Sequence, residues 1–314
     1  MIVMKNDARL ATAVYVIVST VMIGTFFVSQ TILGATSTNV TSQVIVGIAA
    51  PAVSAVTLNH SAAIVLNPNT TTNVDVNATI SDANGCSEIT TGTTTVLLFR
   101  SGVTSSTCLS SPNTLNCYVA TAFTASSSCS SGSQNTTTTF AVQYFAQGTD
   151  VSSTASSDDW DATVIFRTPD NTTGSADANP HEELNTLLAL NVTTSTINYG
   201  TLSANSNSGA TDQVVTSTNA GNCTTSLQLS ALQTLTSGAN TIPTSSQGYS
   251  TSTFTYPGTS TALTGSPVTV GGFKLVGPTS TTNVAQATFW GVAVPNNQPT
   301  GTYTGTNVFQ ALFQ

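Results

Sequence analysis

The chain has 314 residues, of which 39% are apolar and only 6% are Asp, Glu, Lys or Arg, where ordinary soluble domains carry about a quarter. With 13 acids, five cations, two histidines and a net charge of −8, it has no basic cluster to release counterions from a polyanion, which excludes nucleic acid as a partner. Ser and Thr make up about a third of the residues, and the alternating Val, Ile, Phe and Thr between them suit pleated strands, so the expected fold class is all-β.

Met1 to Arg9 carries Lys5 and Arg9 and precedes a run of 25 uncharged residues, Leu10 to Gly34. As a helix this run would be about 37 Å long, enough to cross a bilayer core, which needs roughly 20 residues. Two readings stand for residues 1–35. One is a signal-anchor helix bounded by Leu10 and Gly34. The other is a cleaved signal peptide ending near Ala35, where Leu33 occupies a position that favours a small residue. The basic flank precedes the apolar run, so the positive-inside rule places the N-terminus in the cytoplasm. Either way the rest of the chain is exported, and the expected location is the cell surface or the extracellular space, with the membrane as partner through the N-terminal helix.

Residues 36–48 read as a linker, and 49–168 as a first β module. Its strand signals are 53–58, 62–67, 73–82, 94–102, 117–123, 138–147 and 160–168. Val74, Val76, Ala78 and Ile80 share one face, as do Trp160, Ala162, Val164 and Phe166. Cys86, Cys108, Cys117 and Cys129 fall within 44 residues, and Cys223 stands alone. Four clustered cysteines in an exported domain read as two disulfides with three open pairings. Cys108–Cys117 closing a small loop, with Cys86–Cys129 tying that region to a strand end, is favoured. Zinc is not, because no C-x-x-C pair or neighbouring histidine accompanies them.

The segments NVDVNATISDANGC, TTVLLFRSG, FAVQYFAQGTD and DDWDATVIFRTPDN resemble the immunoglobulin-like modules of microbial cell-surface proteins. The resemblance covers most of residues 50–170 and implies a Greek-key β-sandwich. The antibody spacing of an inter-sheet disulfide against a core Trp is not matched.

Residues 169–185, PDNTTGSADANPHEEL and one Asn beyond, read as a linker by composition. A second module follows over 186–314, with strand signals at 187–192, 195–202, 212–219, 225–232, 252–256, 268–276, 284–295 and 301–313. Its Pro299-Thr-Gly-Thr-Tyr-Thr-Gly305 segment looks like the opening of the closing strand in bacterial surface and fimbrial sandwiches. The expected architecture is therefore two tandem Ig-like sandwiches after one hydrophobic helix.

Chemistry-bearing residues are sparse. Asp150, Asp158, Asp159 and Asp161 form the densest acidic group, and Ca²⁺ is the one cofactor such oxygen ligands suit, although no EF-hand-type loop is present. No pair of carboxylates is singled out for glycoside hydrolysis. His60 and His181, the only bases for a serine hydrolase, have no G-x-S-x-G partner. No enzymatic activity is expected. Two functions remain: a structural, envelope-associated protein that assembles as a lattice or filament component, and an adhesin that binds glycan or a neighbouring cell. Trp160 and Trp290 lie in strand contexts and read as core rather than as a sugar platform. Few charges are available to blunt strand edges, so an edge within Gln43–Leu58 or the C-terminal strand is expected to mediate association with itself or with other envelope proteins.

Overall fold

A computed structural model describes residues 41–314 apart from 122, 123 and 126. The anchor or signal segment, Leu10 to Gly34, lies outside the described residues. Two units are distinguished, Met1–Gly47 and Ile48–Gln314. The described part of the first, 41–47, has neither helix nor strand and is exposed.

The second unit opens with β1 (Ala52–Leu58), β2 (Thr71–Ser81), α1 (Cys86–Thr91), β3 (Thr93–Arg100), α2 (Ser105–Ser110), β4 (Cys117–Ala120), β5 (Thr124–Ala125), β6 (Ser133–Gln143), β7 (Trp160–Arg167) and β8 (Thr173–Asp177). These strands form two four-stranded antiparallel sheets, ordered β1-β2-β6-β5 and β4-β3-β7-β8. The period-2 pattern decides which side chains meet between them. Val74, Val76 and Ala78 of β2 and Phe140 and Val142 of β6 face Val96 and Leu98 of β3 and Trp160, Ala162 and Val164 of β7. The opposite face of β3 is apolar too. Leu97 and Phe99 are covered by Cys108 and Cys117, so α2 and its disulfide act as a lid on the outside of the sheet. At one end, Ile80, Ile89 and Phe166 cluster beside Cys129, which is bonded to Cys86.

The remainder contains β9 (Leu190–Val192), β10 (Gln213–Asn219), β11 (Thr225–Ser237), β12 (Asn240–Ile242), β13 (Gln247–Ser250), β14 (Thr261–Ala262), β15 (Val268–Thr269), β16 (Ala285–Val292) and β17 (Thr304–Phe313). One sheet runs β14-β13-β16-β10-β9. The other is built on β11, which pairs with β12 and β15 and, along most of its length, with β17. Val215, Tyr249 and Trp290 of the first sheet pack on Leu227, Leu229 and Ala231 of the second, with Phe309 of β17 packed against them.

Four expectations need correction. Residues 173–177, read as linker, form β8, and Ala178 and Leu184 are buried in the first core. The small polar composition suggested a loop, yet smallness is what the position requires. Gly174 lies so close to β1 that a Cβ there would sit 2.3 Å from the Pro51 carbonyl oxygen. Residues 62–67 hold only an isolated bridge, Ile64 to Leu184. The strand expected at 252–256 lies instead at β13, where Gln247, Gly248 and Tyr249 are buried. Residues 195–202 alternate like a strand but make no ladder.

Candidate functional site

The four acidic residues of the calcium reading go to different partners. Asp150 accepts from the Thr186 amide at 2.8 Å and from the Thr186 hydroxyl. Asp158 pairs with Arg100. Asp161 accepts from its neighbour Ala162 N at 2.7 Å and faces His181 Nε2 at 3.6 Å. Asp159 uses its backbone, its amide donating to Ser101 Oγ at 3.0 Å. Among the described residues no three His, Cys, Asp or Glu side chains are arranged to hold a metal ion. Burial raises the Asp161 carboxyl above its usual range, and His181 only partly offsets this. Burial, with Asp159 adding to it, also raises Glu182.

His60 is exposed in a short 3-10 turn at positive φ, far in sequence from His181. Among the described residues neither histidine is hydrogen-bonded to a serine hydroxyl. Trp160 and Trp290 are both fully buried. Each indole N–H is satisfied internally, by the Gln147 carbonyl and by Thr288 Oγ1, both at 2.9 Å. Cys223 is a free, half-buried thiol 3.4 Å from the Leu187 carbonyl, and burial raises its pKa.

A strand edge and a cleft lie together on the second pair of sheets. Along β17, hydrogen bonding runs on one side only, to β11. After β9 the chain leaves its sheet. Thr193 still bonds to Thr216, but backbone contact with that sheet resumes only where Asn205 N donates to the Pro295 carbonyl at 3.1 Å, beside the isolated bridge of Asn207 with Ala293. Between these points Ile197 and Tyr199 pack on the core while the backbone makes no ladder. Among the described residues no backbone hydrogen bond joins 194–204 to 299–309. The two stretches line a cleft of about 1130 Å³, whose apolar part includes Leu235, Ile242, Val292 and Phe309.

Gln247, 1% exposed, lies at the same cleft. Its Oε1 accepts from Tyr199 Oη at 3.1 Å and from Asn307 Nδ2 at 3.0 Å. Its Nε2 and the Asn307 Oδ1 have no partner although both are buried. Burial, with Tyr256 nearby, raises the Tyr199 phenol far above its usual value, so it stays a hydrogen-bond donor at any physiological pH. The scarcity of charge makes the C-terminal strand one of two expected edges, with Gln43–Leu58 the other. It gives no sign of the cleft, because the apolar alternation of 195–202 looks the same whether or not a ladder forms.

No protein-family model matches the chain, and no curated protein matches it. The crystal structure of dimeric latent PorU from Porphyromonas gingivalis is similar over 84% of this chain at 13% identity, with a TM-score of 0.25. The chain spans only 20% of that one, and a likeness at this TM-score carries no argument about fold or function.

Proposed function

We propose that the chain is an exported, non-enzymatic cell-surface protein that displays two Ig-like sandwiches and assembles with copies of itself through strand edges. In this reading Leu10 to Gly34 tethers or exports it, and the product is a filament or surface lattice. The observation that carries the proposal is β17. It has ten residues without a charge or a proline, is paired on one side only, and ends in the exposed Leu312 and Phe313. Soluble proteins protect such an edge with Lys, Pro or a bulge that turns it away, and an edge left open templates pairing with another chain.

Other observations support the same reading. Two disulfides suit an oxidising compartment outside the cytosol. When the first eight strands are lettered A, B, C, C′, D, E, F and G, their sheets become ABED and C′CFG, the order expected of an Ig-like Greek key. The adhesin alternative is less favoured, since both tryptophans are buried and neither offers a platform for a sugar ring.

Light scattering and negative-stain microscopy of the full chain over a concentration series test the proposal. Ordered multimers are the expected outcome, and a monodisperse monomer at high concentration would overturn it. Selective binding on a glycan array would put the adhesin reading in its place.

A further inference from the structure

We infer that the cleft between residues 194–204 and β17 receives a strand from a second copy of this chain, supplied by Gln43 to Ile48. This rests on the self-assembly proposed above and identifies the two surfaces that meet.

The cleft has the chemistry of a sheet position with its strand missing. On one wall β17 offers an edge without a ladder partner, and on the other 194–204 has backbone groups without one. Its lining is apolar at Leu235, Ile242, Val292 and Phe309. It also contains an amide donor, Gln247 Nε2, and an acceptor, Asn307 Oδ1, that are buried and unsatisfied. Buried polar groups in native proteins are nearly always paired, and an unpaired one costs about 1–3 kcal/mol. An added strand carries N–H and C=O groups that satisfy both, while its alternate side chains fill the apolar part, as in strand addition to an open sheet edge.

The donor is indicated by the exposed segment that precedes β1 in the sequence. Val44, Ile45, Val46 and Ile48 are 85%, 84%, 78% and 62% exposed, the densest run of exposed large apolar residues in the described chain. The segment has no secondary structure of its own and no charge, and it is β-branched at four of six positions. Six residues as a strand span about 20 Å, which matches Thr304 to Phe309 on β17. Period-2 alternation places Val44, Val46 and Ile48 on one face, toward the cleft, and Ile45 on the other.

The geometry also sets the form of the assembly. Only residues 49–51 separate the donor from β1, about 10 Å of chain, and Ala49 N is fixed to Asn84 Oδ1 at 2.7 Å. The first sandwich of one copy is thus held close to the second sandwich of the next. Donor and acceptor are different surfaces, so the contact is head-to-tail and propagates into a filament unless the rotation closes a ring.

The test uses the full chain in a mild detergent, followed by sedimentation velocity and microscopy. Val44→Lys with Val46→Lys should raise the concentration for half-assembly about tenfold or more, whereas Ile45→Lys, on the outward face, should change it little. All three substitutions are on exposed residues, so an unchanged melting temperature separates lost assembly from lost folding. In a second arm, in a Cys223→Ser background, chains with Ile45→Cys are mixed with chains with Thr306→Cys, both positions lying on the outward face. A disulfide-linked heterodimer is expected.

Assembly that survives Val44→Lys with Val46→Lys, or the absence of the heterodimer, would overturn the inference and leave self-assembly standing by another route. A chain carrying both cysteines that crosslinks only within itself would also overturn it, because the cleft would then be filled by its own segment. A wild-type chain that stays monomeric at every concentration would remove the self-assembly proposal and this inference together.

Discussion

Asn222 donates its Nδ2 hydrogen to the Ala146 carbonyl at 2.9 Å and thereby ties the second pair of sheets to a loop of the first. Its Oδ1 accepts from Leu187 N at 2.7 Å, its own amide donates to the Leu187 carbonyl at 3.1 Å, and nearby Asn69 N donates to Ala220 O at 2.9 Å. Asn222→Ala removes these two side-chain bonds and a third, from Nδ2 to the Asn185 carbonyl at 3.3 Å, and leaves the Leu187 amide without its acceptor. The expected cost is about 1–3 kcal/mol, read as a lower urea midpoint. An unchanged midpoint would mean that this asparagine does not hold the junction.

What the sequence made legible, and what it did not, follows from which forces leave a local trace. Alternation in β2 and β7 predicted which side chains are buried, because one face of each meets a facing sheet: Val74, Val76, Ala78, Trp160, Ala162 and Val164 are all core. Clustered cysteines likewise predicted two disulfides. β8 was missed because Thr173-Gly-Ser-Ala-Asp177 has no apolar face. It is held by its ladder to β7 and by the close approach of Gly174 to Pro51, and both are long-range facts. The cleft was missed for the converse reason. Residues 195–202 have a strand's alternation, and only the path of the chain between Thr193 and Asn205 shows that no ladder forms.

The two disulfides should differ in their contribution. Cys86 and Cys129 are 43 residues apart in sequence, and Cys108 and Cys117 are nine apart. A crosslink that closes a longer loop restricts the unfolded chain more. Replacing both members of the first pair with Ala should therefore cost about 1 kcal/mol more than replacing both members of the second. Melting temperatures by calorimetry give the comparison, and a larger loss for Cys108→Ala with Cys117→Ala would show that the lid over Leu97 and Phe99 outweighs loop entropy.

Asp161 predicts a pH dependence. Burial raises its carboxyl in the folded chain above the usual carboxylate range. Between the unfolded and folded values the native state therefore binds the proton more tightly than the unfolded state, and stability falls as pH rises through that window. The contribution is fully present below the unfolded value and lost above the folded one. Glu182, also raised by burial, acts in the same direction. Asp161→Asn should flatten the decline in urea midpoint with rising pH, and an identical slope in wild type and variant would contradict this assignment.

Calcium should have no effect on the melting temperature. Asp150 is engaged by Thr186, Asp158 by Arg100, and Asp161 by Ala162 and His181, so gathering their oxygens around one ion would break existing bonds. Ca²⁺ needs six to eight oxygen ligands. Titration calorimetry with excess Ca²⁺, and melting before and after chelation, are the measurements. Measurable heat with a rise in melting temperature would show that the acidic loops rearrange around the ion.

Gly305 controls where the open edge of β17 lies. The pairing of β17 with β11 shifts register between Ala231 and Gln233 and again between Gln233 and Thr236, and Gly305 sits against this irregularity. A Cβ there would fall 2.7 Å from the Gln233 carbonyl oxygen and 2.9 Å from that of Thr234. Both contacts are backbone atoms that cannot rotate aside, so Gly305→Val must push β17 away from β11 at the end that lines the cleft. Overpacking of this kind costs about 1–3 kcal/mol. Thr306→Val, one residue on and exposed, should stay within about 0.5 kcal/mol of wild type. The variants should therefore separate in urea midpoint and in assembly alike, with Gly305→Val losing both and Thr306→Val keeping both. A Gly305→Val chain as stable and as assembled as wild type would mean that the free edge does not depend on this close approach.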